Sequence, residues 1–479
     1  MPKSDLDWAL AEFRAPRQRV YTLSQEYYDG LHRVTYDARR FRSVFSGLFQ
    51  TVRANICQIV VDSLTDRLEI VGFELGSETL NQRAQDLWDK NQMDLVANET
   101  HRETFKSGDA YVIVQPDENG DPTFWFNPAD QVAVAYSDTQ PGVLVMATKL
   151  WHADVENRWR LNMYYPDRIE KYIASRVMQN PTSMDVNIAY WVPYEGDTLN
   201  PDGVVPWAYG QVPVFHFSNR NLHRYGYSEL SEIIPLQDAI NKSISDLLIT
   251  SEFSAFKQRY ITGIDTDELE GERGSKLLAG VDRIMAVAST DARFGEFTAS
   301  DLGQFLNVID HFCRQVARIS GIPLHFIYEV SGDFPSGNAL KTAEARFVKK
   351  LQDKQTAFGN VWERVIEFAL KLGDTAVSDV EVVWLDTSPQ SQKEQLEVLL
   401  MKRVLGVPNM QLFREAGYTE QQAADWAKLL AEAPPMAVNP ASVTGSAQAS
   451  VRGAEGTPPE DVLPTPTGRI AVNKTAFTS

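Results

Sequence analysis

Apolar residues recur every three or four positions over most of 300–373, with one interruption. Leu302, Phe305, Leu306, Ile309, Phe312, Cys313, Val316 and Ile319 form a single stripe. That spacing predicts an amphipathic helix over about 301–320, with Ser300 as its N-cap and a stop at Gly321 and Pro323. An irregular segment containing Gly332 and Pro335 follows. Helical spacing resumes at Leu340 and continues through Ala343, Phe347, Leu351, Phe358, Val361, Val365, Ala369 and Leu372. At about 1.5 Å per residue, this second helix over 336–372 is roughly 55 Å long. Helices of globular domains are typically about a third of that length, so this one joins regions that a compact domain keeps apart.

The period differs elsewhere. Residues 5–110 read as mostly helical, with Ile56, Ile59, Val60 and Leu64 at helical spacing. Between 108 and 173 the period falls to two, and strands are predicted at 110–114, 123–126, 132–136, 143–147 and 159–164, with turns at 117–120 and 140–142. Helices followed by an antiparallel sheet place the chain in the α+β class. Residues 175–215 are irregular and end in an apolar strand at 212–217. Pro235 opens another helix to about 256, with Ile240, Ile244, Leu247 and Leu248 on one face and Asp238, Asn241, Lys242 and Ser245 on the other. Short strand-like runs at 260–264 and 283–288 separate it from the helix at 301–320. One more strand (380–385) and two amphipathic helices (392–404 and 420–432) follow. Past Pro434 large apolar residues are scarce, and the tail has no core of its own.

Composition narrows the function more by exclusion than by pointing. The 479 residues are 43% hydrophobic and 23% charged, with a net charge of −18. This is a folded chain whose charge argues against broad, tight binding of nucleic acid. The two cysteines, Cys57 and Cys313, sit among apolar neighbours and read as reduced core residues. Neither a secretory signal nor a run of about 20 apolar residues is seen, so the chain is expected in the cytoplasm when made.

Motifs that bind nucleotides or metals or form nucleophilic sites are missing. Gly271-Glu-Arg-Gly-Ser-Lys276 has the wrong spacing for a phosphate-binding loop. The seven histidines show no ligand spacing, and no cofactor is implied. The densest carboxylates are Asp265, Asp267, Glu268, Glu270 and Glu272. A contiguous run in a glycine-flanked loop splays such groups into solvent, which suits an acidic docking surface or a plain solvated loop. A metal-dependent nuclease site, which needs carboxylates converging on one ion, is the rival enzymatic reading. Positive charge gathers at Lys341, Arg346, Lys349, Lys350 and Lys354, read as a solvated helix face partly paired through Lys341 with Glu344 and Lys350 with Asp353. His311, Arg314 and Arg318 fall opposite the apolar stripe of their helix. A basic cluster at Arg39, Arg40 and Arg42 reads as a solvated or salt-bridged face.

Several stretches carry a resemblance. Ile319-Ser-Gly-Ile-Pro323, Pro335-Ser-Gly-Asn-Ala-Leu-Lys341, Ala343-Glu-Ala345, Phe358-Gly-Asn-Val-Trp-Glu363, Gly108-Asp-Ala-Tyr-Val112 and Tyr165-Pro-Asp-Arg-Ile169 resemble the portal proteins of tailed bacteriophages. The nearest branch is that of long-tailed phages of Gram-positive and actinobacterial hosts, and the resemblance spans about 20–430. It implies an α+β portal fold: a mixed wing (1–227 and 338–388), stem helices (228–256 and 300–320), and a small β-rich clip (257–299). A tunnel loop (321–337), a long kinked helix after it, a helical crown (389–433) and a tail (434–479) complete the plan.

The resemblance further implies a non-enzymatic ring, commonly of twelve copies, at one capsid vertex, serving the packaging and ejection of double-stranded DNA. Expected partners are the terminase large subunit, the major capsid and scaffolding proteins and a head–tail adaptor, with no membrane. The expected places are the virion and, during assembly, the host cytoplasm. Channel candidates are His311, Arg314 and Arg318 before the loop, Ser331, Gly332, Asp333 and Phe334 within it, and Lys341 just past it. Motor or adaptor docking is expected at Asp265, Asp267, Glu268 and Glu270. A virion structural protein without a channel is a further alternative.

Overall fold

The computed structural model describes residues 4–32, 54–179, 188–196, 200–220, 224–255, 259–262, 291, 293–296, 301–328, 337–388, 392–407, 409, 412, 413, 426 and 428. It forms two compact units, residues 1–389 and 390–479. The first opens with helices α1 (Asp5–Glu12), α2 (Arg17–Tyr28) and α3 (Ile56–Thr65). Strand β1 (Ile70–Glu74), helix α4 (Glu78–Lys90) and helix α5 (Met93–Ser107) follow. Ser4, Asn55 and Ser77 each accept a backbone N–H of the first turn, at Asp7, Gln58 and Leu80, so α1, α3 and α4 start where a short polar side chain satisfies an orphan donor.

The period-two region contains the five expected strands and an unexpected sixth at 168–174, and it makes two sheets rather than one. Strands β2 (Asp109–Pro116) and β3 (Pro122–Pro128) form a hairpin, and β10 (Val214–Ser218) adds to the outer edge of β2, giving the order β10-β2-β3. Strands β4 (Val132–Tyr136), β5 (Leu144–Ala153), β6 (Arg158–Tyr164) and β7 (Arg168–Ala174) form an antiparallel meander. It is extended by the short β8 (Trp191–Pro193) and β9 (Val204–Pro206), both paired to β7 inside the stretch expected to be irregular.

Alternation along β4 gives the larger sheet two jobs. Val132 and Val134 enter the main core, while Ala133 joins Met146, Leu150, Leu161 and Met163 under Ala9 and Leu10 of α1 and Phe13 just after it. Helix α6 (Ile234–Ala255) is long and continuous. On its polar face Asn241 and Ser245 are buried and Asp238 and Lys242 half-buried, and Gln237 beside them is buried too. Gln237 and Asn241 serve the start of α3. Gln237 accepts from the Ile56 N–H at 2.8 Å and donates to the Ala54 carbonyl at 2.7 Å, and Asn241 accepts from the Ala54 N–H at 3.0 Å. Polar residues pointing inward are stable here because backbone groups that need partners wait for them.

Strands β11 (Arg259–Thr262) and β12 (Arg293–Glu296) pair antiparallel. Helices α7 (Gly303–Ser320), α8 (Leu324–Ile327) and α9 (Gly337–Leu372) follow, then β13 (Glu381–Trp384). β13 pairs with β1, a strand that the helical reading of 5–110 passed over. Helix α7 starts at Gly303, whose N–H donates to Asp301 at 2.9 Å; the expected cap Ser300 lies outside the described residues. Its end is as expected, with Gly321 at φ +75° donating to the Ala317 carbonyl.

The long helix α9 has 36 residues and changes character along its length. Up to Leu351 it buries one side, at Glu344, Phe347 and Leu351. From Phe358 onward Val361, Trp362, Val365, Ile366, Phe368, Ala369, Leu370 and Leu372 are all buried, more than one stripe provides. Trp362 is the centre of the main core. It lies 5.3 Å from Trp88 and 4.6 Å from Phe217, ring centre to ring centre, and donates to His101 Nε2 at 2.9 Å. Burial pushes His101 down to about 3, so the imidazole is neutral. Gly359 lets β13 approach, since a Cβ there would lie 3.3 Å from Trp384 Nε1. Cys57 and Cys313 are free and buried.

The second unit contains helix α10 (Gln392–Val404), at the bounds expected from its sequence, and an edge-on contact of Phe413 with Trp426 at 5.6 Å. Of the helix expected at 420–432 only residues 426 and 428 are described, both helical, while the strand-like run at 283–288 and the Arg39–Arg42 cluster fall outside the described residues.

Candidate functional site: the junction of α7, α8 and the first half of α9

The channel candidates on α7 are placed where helical spacing puts them. His311, Arg314 and Arg318 are exposed, while Cys313, Val316 and Ser320 on the other side are buried. Arg314 pairs with Asp310 one turn earlier at 2.9 Å. The apolar stripe is only partly covered, since Leu306 and Ile319 stand exposed, as does Val308 beside it. Lys341 is half-buried in the first turns of α9. Ser331, Gly332, Asp333 and Phe334 lie outside the described residues, as do Asp265, Asp267, Glu268 and Glu270.

Helix α8 and the first turns of α9 are tied together across 329–336. His325 on α8 meets Glu344 on α9 at 3.1 Å, and Phe326 packs edge-on against Phe347 with ring centres 5.8 Å apart. Glu344 is buried and also takes Arg67 at 3.4 Å, and Arg67 in turn donates to the Thr387 carbonyl. The expected pairing of Glu344 with Lys341 is therefore corrected: a buried carboxylate with two partners from other elements displaces the local one.

A larger correction concerns the basic half of α9. Lys350 and Lys354 are not a solvated face. Both reach Glu229, at 2.7 and 3.4 Å, and the Glu229 side chain is 1% exposed. Lys350 also donates to the Ser320 carbonyl at the end of α7 at 2.9 Å, and Lys354 donates to Asn219 Oδ1. Asn219 Nδ2 closes the set on Glu229 at 3.0 Å, and Arg220 adds a contact at 3.4 Å. Asp353, expected to pair with Lys350, pairs instead with Lys349 at 2.9 Å. Burial alone raises a carboxyl. Here Lys350, then Lys354, and the hydrogen bond from Lys350 together outweigh it and bring Glu229 down to about 2.

Glu229 is delivered to this place by its backbone. Residues 224–229 cross the α5–β2 turn at a distance that only glycine permits. A Cβ on Gly226 would lie 2.0 Å from the Gly108 carbonyl oxygen and 2.8 Å from Asn219 backbone atoms, and Gly108 itself stands at φ +97°. The Asn219 N–H donates to the Gly108 carbonyl at 2.8 Å, and the Glu229 N–H to the Phe105 carbonyl at 3.0 Å. Asp109, next in the chain, is fully buried and accepts from the Gly226 N–H at 2.7 Å, Tyr21 at 2.6 Å and His216 at 2.7 Å. The stretches Gly108-Asp-Ala-Tyr-Val112 and Tyr225-Gly-Tyr-Ser-Glu-Leu230 are thus two sides of one contact.

Residue patterns did not single out Glu229, yet α9 contains a signal. Arg346, Lys350 and Lys354 follow one another at i, i+4 and i+8, all cationic, a spacing that repels within an isolated helix. Such a run calls for an anion from elsewhere in the fold. Among the described residues, no three His, Cys, Asp or Glu side chains gather as a metal site, and no helix is long and apolar enough to cross a membrane.

The model of the family described as phage portal protein, SPP1 Gp6-like, matches residues 11–433. The portal protein of Mycobacterium phage L5 is 26% identical over 351 residues, covering 69% of this chain and 68% of that protein. The portal protein of Mycobacterium phage D29 is 26% identical over 348 residues with the same coverage. Among solved structures, the neck of an empty gene transfer agent particle, computed with C6 symmetry, is similar at a TM-score of 0.47 and 13% identity, over 80% of this chain and 95% of that one. The neck of the native particle, computed with C12 symmetry, gives 0.42 and 14%, over 84% and 96%.

Proposed function

Because the chain belongs to the family of phage portal proteins, SPP1 Gp6-like, we propose that twelve copies close into a ring at one capsid vertex, through which double-stranded DNA is packaged and ejected. In this reading α6 and α7 are the stem, and β11 and β12 begin and end the clip. The elements before α6, together with α9 and β13, make the wing, and α10 belongs to the crown. Residues 257–299 receive the terminase large subunit and later the head–tail adaptor, with Asp265, Asp267, Glu268 and Glu270 as the docking charges. The scaffolding and major capsid proteins contact the ring from outside. The match over 11–433 carries the reading, and the partly uncovered stripe of α7 supports it, because Leu306 and Ile319 need a neighbour to leave water.

Charge sets the demand on the channel. Twelve copies of a −18 chain make a particle of about −216, a field that repels DNA. Tight phosphate binding would stall movement, since each neutralised phosphate adds salt-dependent affinity. A sparse set of basic groups repeated by symmetry meets both needs, and His311, Arg314, Arg318 and Lys341 supply it. Contact with phosphates alone suits a channel that accepts any sequence. The test is Arg318→Ala and Lys341→Ala in assembling phage: ring size by light scattering unchanged, DNA per head reduced. Heads filled normally by both variants would remove these residues from the channel, and a compact monomer at micromolar concentration would remove the ring.

A further inference from the structure

Where α7 ends against α9, a cavity of about 520 Å³ opens beside the Glu229 cluster. Arg220, Arg346, Lys349, Lys350 and Lys354 line it, opposed by only Glu229 and Asp353. Five cations against two lining carboxylates, with Arg220 also reaching Glu232 at 3.9 Å, leave a surplus of two positive charges in a chain whose net charge is −18. The surplus is arranged in depth. Lys350 and Lys354 are held inside by Glu229, Asn219 and the Ser320 carbonyl, so the electron-rich end of α7 is already occupied. Arg346, Lys349 and Arg220 stand outside them. Arg346 is exposed and lies across the turn that ends α7, since a Cβ on Gly321 would come within 3.8 Å of its Nε. Among the described residues Lys349 is held by the exposed Asp353 alone. Lys354 registers the crowding: burial first, then Lys350 and Arg220, pull it below the usual lysine range against the pull of Glu229.

We propose that this cavity binds a multiply charged phosphate ligand, held at the mouth by Arg346, Arg220 and Lys349. A single carboxylate leaves half of the surplus unmatched, whereas a phosphate ester or diphosphate matches it and presents the oxygens that a guanidinium grips in pairs. The volume is that of a site for a nucleotide-sized molecule rather than a lone ion. Two sources share this chemistry: consecutive phosphates of a DNA backbone, and a free phosphorylated small molecule. The inference stands apart from the channel reading, because none of its residues is a channel candidate.

The experiment uses the full chain, with inorganic pyrophosphate as probe and calorimetry at low salt. The wild type should bind, and the double variant Arg346→Ala with Lys349→Ala should bind at least tenfold more weakly. Lys90→Ala, which removes a remote surface cation paired with Asp121, should bind as the wild type does. Both cavity substitutions are of exposed side chains, so an unchanged melting temperature without ligand shows that the fold is intact. Displacement of pyrophosphate by a short DNA duplex assigns the site to backbone phosphates; displacement by adenosine diphosphate but not by duplex assigns it to a small molecule. Equal binding by wild type and double variant, or none by either, overturns the proposal. Ring size read on the same samples bears only on the ring.

Discussion

The two edges of α9 present the same chemistry to different surroundings. On the outer edge Lys349 meets Asp353 one turn away, with the two side chains 71% and 65% exposed. On the inner edge Lys350 and Lys354 meet Glu229, which arrives from a segment more than a hundred residues earlier and is 1% exposed. Water solvates the first pair whether or not it forms, so its contribution is slight. Desolvation makes the second indispensable once built, because removing one partner leaves buried charge uncompensated. Adjacent lysines therefore differ by what surrounds them rather than by what they are. A helix read alone assigns both to its solvated face.

Gly226→Ala should open the widest gap between the two edges. The new Cβ would collide with the backbone at Gly108 and Asn219, which cannot rotate aside, so residues 224–229 must lift and take Glu229 with them. A loss on the order of 4 kcal/mol is expected by chemical denaturation, at the upper end of single substitutions. Melting near the wild-type temperature would mean that the crossing is not tight.

Glu229→Gln keeps the shape and removes the charge, leaving Lys350 and Lys354 without a counter-ion at an expected cost of about 3 kcal/mol. Its pH dependence gives an independent check. Glu229 is held at about 2 in the folded protein, below the usual carboxyl value of 4.5. Its contribution is therefore present above about pH 4.5 and is lost as pH falls toward 2. The stability difference between wild type and Glu229→Gln should be constant at neutral pH and shrink below pH 4.5. His101 titrates in both proteins and cancels from the difference. A gap that stays constant down to pH 3 would mean that the charge is not what matters.

Lys349→Ala should be nearly silent, about 0.3 kcal/mol or less in stability, since an exposed pair one turn apart contributes little. A loss above about 1 kcal/mol would erase the contrast between the two edges.

The sequence by itself determined the elements. Period and punctuation placed α7, α9, α10 and most strands within a few residues, because helix and strand impose local spacings on apolar side chains wherever one face is buried. The wording of 319–341 and 358–363 carried the family. Tertiary structure alone decided which polar groups turn inward. Gln237 and Asn241 are buried because the start of α3 offers unpaired backbone groups, and Glu344 leaves its local lysine for Arg67 and His325. Strand β1 stayed hidden because its partner β13 lies some 300 residues away, and a five-residue strand has too little pattern of its own. Glu229 stayed hidden for the same reason: its partners are set by a backbone contact at Gly108 and Gly226, and no local spacing records a meeting between residues 219, 229, 350 and 354.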